Sequence, residues 1–314
     1  MLASMMFRIA CLAAASLLYP SVQDAKPVPA QAPAEPNAAP AAEPLGEMVT
    51  FFHENGLKAR EGRLYRGRRE GVWKGWSDAG APLYEGTFHN YKRVGPWVYW
   101  GENGRKKSEG SWSDGQRAGK WTYFHENGKV QSEGEFVAGL RSGPWVSYNT
   151  EGTKLKEGPY KAGRKEGTWT NYFSDTGGKW SEGPMVDSMQ EGVWKRWHKN
   201  GKLEFEGRFT RNREEGPWTR WRETGEKEAE GNYLAGKMEG NWIGFHPNGQ
   251  KSYEGAMRNG LADGPWTHWY PNGQKKGEGL LQAGKRTGSW RFWQEDGTPD
   301  EDQSGVYERG VKKK

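Results

Sequence analysis

The stretch 119–145, GKWTYFHENGKVQSEGEFVAGLRSGPW, holds one full period of this chain and the start of the next. Trp121 follows Gly119 by two residues, and Phe124 follows Trp121 by three. Asn127-Gly128 comes next, then Glu133-Gly134 with Phe136 two residues beyond, and Gly143-Pro144-Trp145 reopens the pattern. Asn-Gly between aromatic-rich segments is a strong hairpin signal, because both residues accept positive φ at little cost. Two strands of about five to seven residues therefore flank it, and a second Gly-containing link, Ala138-Gly139, leads onward.

The period holds along nearly the whole chain. Trp stands two residues after Gly at Trp73, Trp97, Trp121, Trp145, Trp169, Trp194, Trp218, Trp242, Trp266 and Trp290. The interval is 24 residues each time except one of 25, where Ser174-Asp175-Thr176-Gly177-Gly178 takes one extra residue into a turn. A repeat of this length stacks units that each contact only their neighbours. The expected fold is all-β: an elongated single-layer antiparallel meander of about ten β-hairpin repeats, spanning on the order of 100 Å at roughly 4.8 Å per strand. The ten tryptophans are the structural repeat, making up for the missing thick core. Trp and the aromatic three residues later have opposite parity, so a regular strand sets them on opposite faces, whereas a bulge sets them on one; the sequence leaves both open. At the start Val49 takes the Trp slot, and at the far end the pattern dissolves in Pro299-Asp300-Glu301-Asp302.

Composition alone points elsewhere. Only 33% of the residues are apolar and mean hydropathy is −1.03, values typical of disorder. The 18 Trp and 46 Gly oppose that, and their regular spacing resolves the conflict. The 46 basic and 40 acidic residues are mixed along the chain, without the one-sided cluster that a nucleic-acid footprint needs. Arg8 precedes a short apolar run, Ile9–Leu18, of secretory-signal length and too short to span a bilayer. Residues 1–24 are thus read as a signal peptide and 25–44, with Pro at 27, 29, 33, 36, 40 and 44, as an extended Ala/Pro linker. The repeat domain is placed at 45–310 and a basic tail at 311–314. The expected location is exported: periplasmic, at the cell surface, or secreted. Lipidation at Cys11, the single cysteine, is the alternative, and Arg8-Ile9-Ala10 fit that pattern poorly.

The recurring G-x-W-x-x-aromatic, N-G-K, E-G-x-aromatic unit resembles the MORN repeat, in the bacterial variant found in YwqK-type antitoxin proteins. The resemblance covers about residues 49–310. It implies a β-hairpin ribbon used for protein contact, and in some relatives for membrane association; the antitoxin label implies neutralising a toxin.

Catalysis is not expected. Each Glu-Gly glutamate meets the same surroundings as its counterparts, so nothing separates an acid from a base; the row is read as structural, paired with a turn Lys or with an N–H. His53, His125, His198 and His246 share one repeat position, but His53 and His125 lie three repeats apart, too far to converge on a metal ion. No cofactor or metal is expected. Aromatics beyond the repeat minimum, Tyr99, Trp112, Tyr123, Trp180 and Phe292, are the candidate exposed contact residues for a partner. That partner is expected to be a protein held by a non-catalytic scaffold. A glycan or cell-wall polymer stacked on the aromatics, a lipid headgroup on Lys and Arg, and an antitoxin-like role are the alternatives. Oligomeric state is left open.

Overall fold

The computed structural model describes residues 46–313; the segments read as signal peptide and linker, with Cys11, lie outside them. The described residues form one antiparallel sheet in which each strand pairs with its sequence neighbours, the short pieces Arg164–Lys165 and Met189–Gln190 serving as the interrupted starts of Gly167–Tyr172 and Gly192–Trp197. It opens with β1 (Glu47–Phe52), β2 (Lys58–Tyr65), β3 (Arg68–Trp76), β4 (Pro82–His89) and β5 (Lys92–Trp100), and continues in the same alternation. The segment read as a basic tail begins with a last short strand, Val311–Lys312, paired with Tyr307 and Glu308.

The two turn types sit at ends opposite to the sequence expectation. Asn127 does not take positive φ; only Gly128 does, at 86°. Gly128 N donates to His125 O at 2.9 Å and His125 N to Lys129 O at 2.8 Å, which makes a four-residue turn from His125 to Gly128 closed by a glycine bulge. The asparagine acts through its side chain instead. Asn127 Oδ1 accepts from Lys129 N at 3.0 Å, and Nδ2 donates to Thr150 O in the next turn. The two-residue turns with both φ positive are the other links, such as Ala138-Gly139 (48° and 79°) and Asn90-Tyr91 (49° and 67°). Only there is the connection short enough for the mirror-image turn.

Each long strand also carries a two-residue excess. Thr87 pairs with Val94 and Gly86 with Trp97, leaving Gly95 and Pro96 unmatched against β4. Gly95 has φ 64°, and its counterparts two residues before each Trp are also positive. A bulge of this kind bends its strand and raises local twist. The bend explains how tryptophans on a single sheet come to be only 1–8% exposed.

Beneath every indole lies the glycine of Glu-Gly in the neighbouring strand. A Cβ there would stand 2.0–2.4 Å from the indole Cδ2 in all ten repeats, so the ring lies against bare backbone. Every indole N–H donates to the carbonyl of the residue after that glycine, at 2.8–3.2 Å. This glycine thus receives a flat indole. The indole's acceptor, however, is backbone, and the glutamates pair with lysine.

Candidate functional site

Residues two apart on a strand share a face, so the inner face carries more than the tryptophan row. Where the residue two beyond Glu-Gly is aromatic, as at Phe88, Phe136 and Tyr233, it meets successive indoles edge-on: Phe88 lies 6.3 Å from Trp73 at 82° and 5.0 Å from Trp97 at 83°. The aromatic at Trp+2 stacks on them from the other side, as Tyr99 does on Trp97 and Trp121 at 5.7 and 6.2 Å. In six of the ten repeats, those of Trp73, Trp97, Trp121, Trp145, Trp169 and Trp290, a cation four residues before the Trp closes the top. The guanidinium carbons of Arg69, Arg93, Arg117 and Arg141 lie 4.4–5.2 Å from their indoles, and Lys165 Nζ 4.3 Å from Trp169. Contacts of this kind contribute about 0.5–2 kcal/mol each.

The second aromatic of each repeat lies on the outer face, which settles the question of parity in favour of regular alternation. Lys106 Nζ bonds Glu109 at 2.8 Å and stands 5.7 Å from the Phe124 ring, and the same Lys, Glu and aromatic recur at Lys154, Glu157 and Tyr172. Glu109 flanks Gly110, whose inner side Trp121 covers, so this trio is on the reverse. Hydrogen bonds from Lys58, Lys154, Lys179 and Lys251 hold Glu61, Glu157, Glu182 and Glu254 below the ordinary carboxylate value. A general acid needs the opposite shift.

Tyr172 donates to Glu157, and burial followed by that bond pushes its phenol up to about 12. The neutral phenol is thus favoured by folding. Its contribution is whole below pH 10, the unfolded value, and is lost as pH rises through about 12. In an ultraviolet phenolate titration, the difference between wild type and Tyr172→Phe should show one tyrosine ionising near pH 12. A difference curve centred at 10 would contradict it.

The histidine row is also structural. Nε2 of His53, His125, His198 and His246 donates to the carbonyl of the outer aromatic one repeat on, at 2.8–3.0 Å.

Tyr99, Trp112 and Tyr123 gather around Trp121, at ring distances of 6.2, 5.6 and 6.1 Å, half-buried under Arg93 and Arg117. Burial pushes the phenols of Tyr99 and Tyr123 up. Trp180 stands apart at 38% exposure, with the Arg196 guanidinium carbon 5.2 Å from its ring. Phe292 is not exposed. At 7% it stacks 5.5 Å from Trp290, because Trp+2 shares the indole's face and the terminal cap, through Tyr307, covers it.

The sequence reading missed a second cluster. In the repeats of Trp194, Trp218, Trp242 and Trp266, the clamp position holds Gln190, Glu214, Met238 and Ala262. Arginine appears instead at Trp+2, as Arg196 and Arg220. Here a cavity of about 800 Å³ opens over Phe205, Phe209 and Trp218. Its walls include Arg196 bonded to Glu204 at 2.9 Å and Arg222 bonded to Glu228 at 3.1 Å. Arg220 meets only the Tyr233 hydroxyl, at 3.3 Å. Among the described residues neither Arg220 nor Glu214 has an oppositely charged group within ion-pair distance. The legible signal was the loss of a cation from a periodic slot.

Residues 117–138, 190–210 and 262–282 match the MORN repeat variant. No curated protein sequence matches the chain. Among solved structures it is similar to TcdB2-TccC3 (10% identity, 83% of this chain and 19% of that one, TM-score 0.16). It is also similar to TcdB2-TccC3-Cdc42 (10%, 83% and 18%, TM-score 0.17) and to a Photorhabdus luminescens Tc holotoxin pore (11%, 84% and 16%, TM-score 0.17). The chain spans less than a fifth of the length of these structures' chains.

Proposed function

We propose that this chain, which carries MORN repeat variants at 117–138, 190–210 and 262–282, is an exported, non-catalytic scaffold that docks a protein partner in the cavity over Trp218. MORN repeats are generally protein- and membrane-interaction repeats, of a non-catalytic type. The observation that carries the reading is the opened clamp. Where the first repeats cap their indoles with their own guanidinium groups, these hold no cation in that slot, and a cavity lined by Phe205, Phe209 and Trp218 opens beside Arg220 and Glu214, which have no ion-pair partner among the described residues. The volume lies within the roughly 300–1,000 Å³ of a typical binding pocket. An apolar floor between charges of both signs suits a peptide: a side chain on the aromatics, with its own carboxylate and ammonium groups answered by Arg220 and Glu214. Nucleic acid calls for one sign of charge. Trp180, through Arg196, extends the same surface. Delivery by residues 1–24 acting as a signal peptide belongs to the proposal.

The test is affinity capture from native cell envelope with mass spectrometry, with purified cell wall assayed in parallel. The expected result is one stoichiometric protein whose binding falls at least tenfold with Arg220→Glu or Glu214→Lys. Both positions are solvent-accessible, so thermal stability should change by less than about 0.5 kcal/mol. Retention on cell wall without a protein partner would overturn the reading in favour of glycan binding.

A further inference from the structure

The two ends of the sheet are finished differently. The last strand, Val311–Lys312, is two residues long and is followed by Lys313, paired with Glu308. Short, charged edges of this kind resist further strand addition. β1 is six residues long, pairs among the described residues only with β2, and carries apolar side chains on both faces. Val49 and Phe51 face inward, Phe51 stacking on Trp73 at 6.4 Å. Met48 and Phe52, on the outer face, are 55% and 62% exposed. Such an edge is a template for another strand.

The backbone says which groups are free. His53 N donates to Leu57 O and His53 O accepts from Gly56 N, so His53 points toward β2. By alternation Phe51 and Val49 also point that way, and Met48, Thr50 and Phe52 turn their N–H and C=O groups outward. A second β1 running antiparallel about a two-fold axis at Thr50 uses all of these groups. Thr50 exchanges bonds with Thr50 of the second copy, and Met48 with Phe52. In that register each inward residue meets an inward one and each outward an outward: Val49 opposes Phe51, Met48 opposes Phe52, and Glu47 falls opposite His53. Every apolar side chain finds an apolar one, and the only carboxylate finds an imidazole. The chain's own segment 25–44 suits the edge poorly, because its prolines at 27, 29, 33, 36, 40 and 44 lack the N–H that a ladder requires.

We propose that two copies of this chain join edge to edge through β1, centred on Thr50, in a two-fold dimer with one continuous sheet. The interface is small beside the roughly 1,200–2,000 Å² of stable complexes, so the dimer forms with rising concentration.

Directly opposed residues that exchange both bonds have Cα atoms about 5.5 Å apart, within disulfide reach. The test therefore uses the full chain with Cys11→Ser, carrying either Thr50→Cys or Met48→Cys, oxidised and run without reductant. Thr50→Cys should cross-link most of the protein as dimer. Met48→Cys, at the more exposed position, should stay monomeric. In sedimentation velocity the unsubstituted chain should double its 35.5 kDa mass as concentration rises. Thr50→Pro should abolish that doubling with little change in melting temperature, since on an edge strand it removes an outward N–H and one hydroxyl bond, from Thr50 to Glu61 at 3.3 Å. A wild type that stays monomeric throughout, equal cross-linking at Met48→Cys, or a dimer that survives Thr50→Pro would overturn the proposal.

Discussion

Gly110→Ala should destabilise the protein by about 3 kcal/mol, the upper end of what overpacking a filled site costs. The added Cβ would stand 2.3 Å from Trp121 Cδ2 and 2.4 Å from Cε2. These atoms belong to the fused ring of a side chain that is 1% exposed, and not to a flexible tip. The ring cannot retreat, because Arg117 lies over it and Trp112 and Phe136 meet it edge-on. The strand must separate or the indole must leave. Gly128→Ala is the control: φ is +86° but nothing lies within 4 Å of the new Cβ, so only the left-handed backbone cost of about 1–2 kcal/mol applies. Urea denaturation followed by tryptophan fluorescence measures both, and Gly110→Ala should also red-shift the native emission. Equal losses at the two positions would mean that the Glu-Gly glycine is there for conformation and not for contact.

That glycine shows why the fold was so legible. Its spacing from Trp is fixed by a contact, and a contact that recurs every 24 residues writes itself into the sequence as a period. Strand pairing and the nearest-neighbour packing could both be read from it. The turns were harder. Asn127-Gly128 is compatible both with a two-residue turn and with the last half of a longer one, and only the backbone bond from Gly128 to His125 decides. Parity was undecidable for a similar reason, since a bulge is invisible in the pattern; the structure has its large bulge before the Trp, at Gly95 and Pro96, and leaves the outer aromatic on the far side. The candidate site was the least legible part. Aromatics in excess of the repeat were sought as contact residues, yet a surplus ring at Trp+2 finds the neighbouring indole before it finds solvent, as Phe292 does. The cavity is marked by a deficit instead, Glu214 where a cation would have capped Trp218.

Trp121→Ala should cost about 3–5 kcal/mol, the range for deleting a buried large aromatic, and it should change how the chain unfolds as well as when. Trp121 touches Tyr99, Trp112, Tyr123 and Phe136, and its N–H satisfies Ser111 O at 2.9 Å. Deleting the ring leaves that carbonyl without its donor and removes the face on which Arg117 rests, so lost packing is joined by a lost hydrogen bond and a lost cation–π contact. Trp266 offers the comparison. It is 8% exposed, has Ala262 in the clamp position and meets Met257 where others meet an aromatic, so Trp266→Ala should fall at the lower end of the range. In a repeat array stability is nearly a sum of local and neighbour terms. A broken link at Trp121 therefore uncouples the strands before it from those after it. The denaturation curve of Trp121→Ala should split into two transitions, whereas a single shifted transition would mean that cooperativity passes around the missing ring through the backbone ladder alone.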